Sequence, residues 1–275
     1  MPSWRALRQT HVKPRLPKFM APDRVIAYTR TVSMSKTIFL AGASGAVGRR
    51  LSPLLLSNGW RVVGSTRAAQ KEPLLRQMGV EPAVIDVFDS AGLQALLADI
   101  RPDVVIHQLT DLPYALEASK MADALERNAR LRDEGTRNLV AAAVAAGAKR
   151  LIAQSISFIY AEGATPHVET DPLLALTDPV YGGTVAGVMS LERQVLEAPL
   201  DGIVLRYGFF YGPGTGFDRP ISPGSVQVDA AAKASELAVT RGESGVFNVA
   251  ESDGAVDSSK AIRTFGWNAA WRANA

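Results

Sequence analysis

Three glycines at a spacing of three, Gly42, Gly45 and Gly48, directly follow the apolar run Ile38-Phe39-Leu40-Ala41. A short apolar run ahead of a glycine-rich turn reads as a buried parallel strand, and the residues after it as the start of a helix. That unit constrains the chain to a fold in which strands and helices alternate. Gly42 allows a tight turn, Gly45 lets a phosphate approach the backbone, and Gly48 lets the helix pack closely on the strand. The turn Gly42-Ala43-Ser44-Gly45-Ala46-Val47-Gly48 therefore predicts a dinucleotide pyrophosphate held at a helix N-terminus. Gly42, Ser44, Gly45, Ala46, Val47 and Gly48 are the candidate contacts.

The charge of the chain is unevenly placed. The formal net charge is +3, yet residues 1–33 hold seven Lys and Arg against the single acid Asp23. The remaining 23 basic and 26 acidic residues leave the body slightly acidic, which gives no support for nucleic-acid binding. Residues 1–33 lack an apolar period and read as a disordered basic leader, with Met34 as the working start or the leader as a targeting peptide. No apolar run approaches the roughly 20 residues that span a bilayer, and the body is expected to be cytoplasmic. The sequence has no cysteine, and His11, His107 and His167 are far apart. Disulfides, thiolate metal sites and a cysteine nucleophile are excluded, and no metal site is expected.

Strand and helix signals alternate along most of the chain. Strands are expected at 60–65, 80–87, 103–108, 150–155, 202–206, 225–228 and 246–250. Helices are expected at 47–57, 70–77, 93–100, 115–146, 184–196, 229–240 and 258–265. The spacing implies parallel βαβ units, hence an α/β fold with a Rossmann-type doubly wound sheet. The Pro- and Gly-rich stretches at 165–179 and 211–224 read as loops. Segments of about 160–183 and 207–275 are assigned to a small C-terminal substrate subdomain, and 34–275 to the nucleotide-binding body.

The segments 42–48, Asp-Val-Val-Ile-His-Gln (103–108), Glu-Gly-Thr-Arg-Asn-Leu-Val-Ala-Ala-Ala (134–143), Ser-Ile-Ser-Phe-Ile-Tyr (155–160), Leu-Arg-Tyr-Gly-Phe-Phe-Tyr-Gly-Pro-Gly (205–214) and Phe-Gly-Trp (265–267) resemble the extended and atypical short-chain dehydrogenases/reductases, the branch that holds the NAD-dependent epimerases and dehydratases. The resemblance implies contacts from Asp86 and Val87 to adenine, and from Gln108, Leu109 and Thr110 to the nicotinamide ribose. An NAD-preferring site places a carboxylate at the end of the second strand. This chain has Gly64-Ser65-Thr66-Arg67 there. Arg67 can pair with a 2′-phosphate, so NADP is the expected cofactor, with NAD possible. The resemblance also suggests a homodimer formed through the helices at 115–146 and 184–197.

The catalytic pattern implied by the resemblance, a Ser or Thr with Tyr-x-x-x-Lys, is broken. No lysine occurs between Lys149 and Lys233. If Tyr181 is the tyrosine, the lysine position is Val185; if Glu192 marks the register, the two positions are Thr184 and Val188. A tyrosine without a neighbouring ammonium titrates near 10 and is a poor base. Tyr181, Ser155 and Ser157 are the catalytic candidates. Only 17 residues separate Tyr211 from Asp229, a shortened stretch where relatives carry a lid. Three functions follow as expectations: hydride transfer between NADP(H) and a small carbonyl, alcohol or sugar-type substrate; a dinucleotide-binding sensor without turnover; or a defective paralogue.

Overall fold

The computed structural model describes residues 36–273; the basic leader expected at 1–33 lies outside them. Seven parallel strands form one sheet in the order β3-β2-β1-β4-β5-β6-β9. They are β1 (Thr37–Ala41), β2 (Arg61–Thr66), β3 (Glu81–Val84), β4 (Val104–His107), β5 (Arg150–Ile156), β6 (Asp201–Tyr207) and β9 (Gly245–Val249). A two-stranded parallel ribbon, β7 (Phe210–Tyr211) with β8 (Val226–Gln227), stands beside it. This is the doubly wound arrangement expected from the alternation of elements.

The central strands are buried on both sides, which explains why they read as unbroken apolar runs. Successive side chains go to opposite faces. Ile38 and Leu40 of β1 join the core under α1 (Ala46–Ser57), α7 (Val228–Ala238) and α8 (Ser259–Phe265). Phe39 and Ala41 join the core under α3 (Ser90–Ile100), α5 (Thr136–Ala145) and α6 (Gly182–Glu197). The remaining helices are α2 (Glu72–Gln77) and α4 (Met121–Arg130). Helix α1 buries Val47, Leu51 and Leu55, a spacing of four that keeps them on one helical face. Full burial of each leucine stabilises the fold by about 1.5–3 kcal/mol.

Two expected elements differ. The helix expected over 115–146 begins only at Met121, because Ala115 and Leu116 both take left-handed backbone angles (φ 53° and 50°) that an α-helix cannot carry. From Met121 the helix runs on, but a π-turn at Leu131–Gly135 joins α4 to α5. The third strand is also shorter than expected, at Glu81–Val84. Asp86 ends it by accepting a hydrogen bond from the Phe88 amide at 3.0 Å, a turn that competes with the strand ladder.

The C-terminal part is mostly built into the body. Strand β9 extends the main sheet beside β6, and α7 and α8 cover one of its faces. The β7–β8 ribbon and the loops around it remain outside the sheet. The described residues form one compact unit. No helix among the described residues is long and apolar enough to cross a membrane.

Candidate functional site

Strand order reverses between β1 and β4, and the crevice outside the carboxyl ends of such strands is where open α/β sheets bind ligands. Gly42 closes β1 at φ 88°, and a Cβ there would lie 2.7 Å from the Gln108 carbonyl oxygen. A Cβ on Gly48 would lie 2.4 Å from the Gly42 carbonyl oxygen. Both positions are closed to any side chain. Gly45 differs, since its nearest neighbour would be the Gly42 carbonyl oxygen at 3.3 Å. Gly45 is also the N-cap of α1, with no side-chain cap and no acid in the first turn. Free helix N–H groups and an uncompensated helix dipole leave a place for an anion.

Two adjoining cavities open at this turn. The first, of about 200 Å³, brings together Gly42, Ser44, Gly45, Arg67, Asp86, Val87, Gln108, Leu109 and Thr110 from the expected cofactor contacts. Ala46 lines only the second cavity. Val47 and Gly48 line neither cavity and are buried behind the turn. Gln108 donates through Nε2 to Ser235 Oγ at 3.0 Å, while its buried Oε1 has no hydrogen-bond partner. An orphan acceptor and an uncapped helix end on the cavity fit a dinucleotide.

Arg67, at the end of β2, donates to Asp111 at 2.8 and 3.3 Å. Asp111 also meets Arg127 at 3.3 Å. The hydrogen bond to Arg67, reinforced by the charges of Arg67 and Arg127, holds the Asp111 carboxyl below its usual range. The Arg67 side chain is largely exposed, so this pair is weak and can rearrange for a competing anion. The carboxylates around the end of β2 are Asp86 and Asp111, contributed by later segments, and both line the first cavity.

The second cavity, of about 450 Å³, shares Gly45, Arg67, Lys71, Thr110 and Asp111 with the first. Its walls are rich in aromatic rings: Tyr114, Phe158, Tyr207, Phe209, Phe210 and Phe217. Phe158 and Phe209 stack at 3.8 Å between centroids. Ser155 reaches this cavity, but its hydroxyl donates to Glu192 at 2.7 Å. Glu192 in turn receives Arg206 through Nε at 2.8 Å and Nη2 at 2.7 Å. The other two catalytic candidates stand apart. Ser157 is buried with its hydroxyl unpartnered and lines neither cavity. Tyr181, at the start of α6, is 45% exposed and lines neither cavity.

The alternative lysine positions, Val185 and Val188, are fully buried and pack with Ile156 and Ile159. An ammonium would not be tolerated in that apolar cluster without a partner. Besides Arg67 and Lys71, a buried cation reaches the second cavity from Arg132 in the π-turn. Sequence reasoning missed it among neighbouring surface arginines. Its signal was the spacing Asn128, Arg132, Thr136: three polar residues four apart on the buried face of the helix. Asn128 accepts the Asp111 amide at 3.0 Å, and Thr136 meets His107 at 3.1 Å. His107 Nδ1 accepts the Leu109 amide at 3.2 Å, so its proton sits on Nε2 and points to Thr136. Burial, with a smaller contribution from the Arg132 charge, pushes His107 down to about 4.

With the fold and both cavities established, the class is clear. Residues 38–245 match the NAD dependent epimerase/dehydratase family, and the chain belongs to that family. A nicotinamide dinucleotide is therefore the cofactor class of this chain. The 3-diazoavenalumate denitrifying reductase of a Streptomyces species is 41% identical over 184 residues, covering 66% of this chain and 59% of that protein. The dTDP-4-dehydrorhamnose reductase of Streptomyces griseus is 32% identical over 178 residues, covering 64% and 50%. The chain thus spans roughly half to three-fifths of the length of these curated relatives. The UDP-glucose 4-epimerase of Thermotoga maritima, solved with UDP-glucose, superposes with a TM-score of 0.70 at 20% identity, covering 85% of this chain and 94% of that one. At that identity the likeness concerns the fold alone.

Proposed function

We propose that the protein is an NADP(H)-dependent oxidoreductase that binds its cofactor in the first cavity and a small substrate in the second. The observation that carries this reading is the shared wall, where Gly45 and Thr110 belong to both cavities. When bound, the dinucleotide supplies or accepts a hydride. Gly45 and the first turn of α1 hold the pyrophosphate, and Asp86 and Val87 flank the adenine end. Gln108, Leu109 and Thr110 line the opposite end. Arg67, released from Asp111, takes the 2′-phosphate. The aromatic walls of the second cavity exclude water and orient the substrate. Ser155 offers lone pairs there, because its proton is committed to Glu192. Tyr181 and Ser157 receive no step. The two reductases among the relatives support reduction as the reaction direction.

The test is calorimetric titration of the full chain with NADPH and NADH, repeated on Arg67→Ala. NADPH affinity should fall at least tenfold in the variant, with NADH affinity unchanged. Equal losses for both cofactors would remove Arg67 from phosphate recognition, and no binding of either would end the enzyme reading. The broken Tyr-x-x-x-Lys pattern and the apolar burial of Val185 and Val188 favour a second reading, a dinucleotide sensor without turnover. It predicts NADPH binding with no NADPH consumption across a substrate panel. A homodimer and a cytoplasmic location remain part of the proposal, and sedimentation and fractionation would test them.

A further inference from the structure

Arg132 is 7% exposed, lines the second cavity, and makes no hydrogen bond or ion pair with any described residue. An arginine in that position is unusual, because a buried guanidinium normally has a carboxylate partner. Burial, opposed by the charge of Glu192, pulls its pKa down to about 10, so it carries its full charge at neutral pH. Glu192 cannot neutralise it, since both Glu192 oxygens are engaged by Arg206. His107, also close enough to feel the Arg132 charge, is neutral. Arg132, Arg206, Glu192 and His107 together leave one uncompensated positive charge at the cavity wall.

The position of Arg132 is built into the backbone. It sits in the π-turn Leu131–Gly135, an element that is rare in helices and frequent at functional sites. Across from it, a Cβ on Gly187 of α6 would lie 3.1 Å from the Ala129 carbonyl oxygen and 3.4 Å from Arg132 Cβ. Glycine at 187 therefore lets α6 close against the helix behind Arg132.

We infer that Arg132 binds the carboxylate of a small aromatic acid whose ring lies among the aromatic walls of the second cavity. This deepens the oxidoreductase reading and rests on it. The guanidinium presents paired N–H donors that match a carboxylate in a fork. The rings of Phe158, Phe209, Phe210 and Phe217 suit a flat apolar body. A buried unpaired charge destabilises the empty protein, and the ligand relieves that cost only if it is an anion.

The experiment uses the full chain saturated with NADP⁺ and three probes: 2-naphthoate, its neutral analogue 2-naphthamide, and UDP. The variants are Arg132→Gln, Arg132→Lys and the wild type. Naphthoate should bind the wild type at least tenfold more tightly than naphthamide, the effect of one charge-assisted hydrogen-bonded pair. Arg132→Gln should erase that preference, Arg132→Lys should restore part of it, and NADPH affinity should be unchanged in both. Arg132→Gln should also raise the melting temperature of the unliganded protein, which a merely structural arginine would not do. Three results overturn the inference. One is equal naphthoate and naphthamide affinity in the wild type. Another is unchanged naphthoate affinity in Arg132→Gln. The third is a preference for UDP that depends on Arg132, which would assign the guanidinium to a phosphate. Absence of NADPH binding would instead overturn the oxidoreductase reading.

Discussion

Replacing Glu192 with glutamine should destabilise the protein by about 3–5 kcal/mol, the cost of breaking a buried ion pair by removing one partner. The side chain is 7% exposed and accepts three hydrogen bonds, from Arg206 Nε at 2.8 Å, Arg206 Nη2 at 2.7 Å and Ser155 Oγ at 2.7 Å. Glutamine keeps the volume and one acceptor. Its amide nitrogen, however, would face a guanidinium nitrogen donor to donor. At an effective dielectric of about 20, two charges near 4 Å apart interact by about 4 kcal/mol, which agrees with that range. The loss is enlarged because Arg132 then has no anion nearby. Arg206 keeps the glutamine oxygen, the Tyr160 hydroxyl at 2.9 Å and the Glu169 carbonyl at 3.1 Å, but no anion. Urea unfolding of the wild type, Glu192→Gln, Arg206→Met and the double variant Glu192→Gln/Arg206→Met measures the effect. The double variant should be more stable than either single one, with a coupling of about 2 kcal/mol or more. Thermal melts should show Glu192→Gln lowered by roughly 10 °C. A Glu192→Gln loss below about 1 kcal/mol, or additive single effects, would refute the reasoning.

Further predictions concern the turn, the lysine position and acid stability. Gly48→Ala forces a Cβ to within 2.4 Å of the Gly42 carbonyl oxygen, so it should cost about 1–3 kcal/mol and weaken NADPH binding; urea melts and calorimetry check both. Gly45→Ala meets only one atom, at 3.3 Å, and should melt like the wild type while losing NADPH affinity. Val188→Lys should leave any activity unrestored and lower stability by several kcal/mol, read by the same melts, because the position is buried among Ile156, Ile159 and Val185. His107 is pushed from 6.5 down to about 4, so between those values the unfolded chain binds a proton that the folded chain refuses. Its contribution makes stability fall as pH drops from 6.5 to 4, by up to on the order of 3 kcal/mol. His107→Gln should flatten that part of the pH–stability curve, and an unchanged slope would count against the shift.

The nucleotide half was readable because its signals are local. A strand, a glycine turn and a helix follow one another at 37–57, and the geometric demands on Gly42 and Gly48 follow from backbone approach alone. Arg67 at the end of β2 was readable for the same reason. Its partner Asp111 was not, since 44 residues separate them. The second cavity is non-local throughout. Its aromatic residues come from four stretches of chain, at 114, 158, 207–210 and 217. The late start of the expected helix at 115–146 depends on two left-handed residues that no glycine announces. Arg132 was hidden differently. It stands in a segment with Arg127, Arg130 and Arg137, which pair with Asp111, Glu134 and Asp133 at the surface. Composition cannot separate one buried arginine from three exposed ones, whereas the helical period can.

With valines at 185 and 188 and Arg132 at its wall, the second cavity differs in what it can do with a proton. An ammonium beside a tyrosine lowers the phenol's pKa and makes it a usable acid and base. Arg132 holds its charge up to about pH 10, and no cation offsets the burial of Tyr207 on the same cavity. Tyr207 lines the cavity, but burial pushes its hydroxyl up and it bonds Ser235 at 2.8 Å. Tyr160 is also pushed up by burial, which outweighs its contact with Arg206. On the inference that Arg132 takes an anion, the cavity fixes and polarises it without a tyrosine suited to rapid proton transfer near pH 7. Hydride delivery to an electron-poor centre, with any proton drawn from solvent, is the redox chemistry this arrangement favours. It predicts a rate of NADPH oxidation nearly flat from pH 7 to 9, measured with any substrate that proves active. A bell-shaped profile lost in Tyr181→Phe would show instead that Tyr181 enters the cavity and acts as the acid.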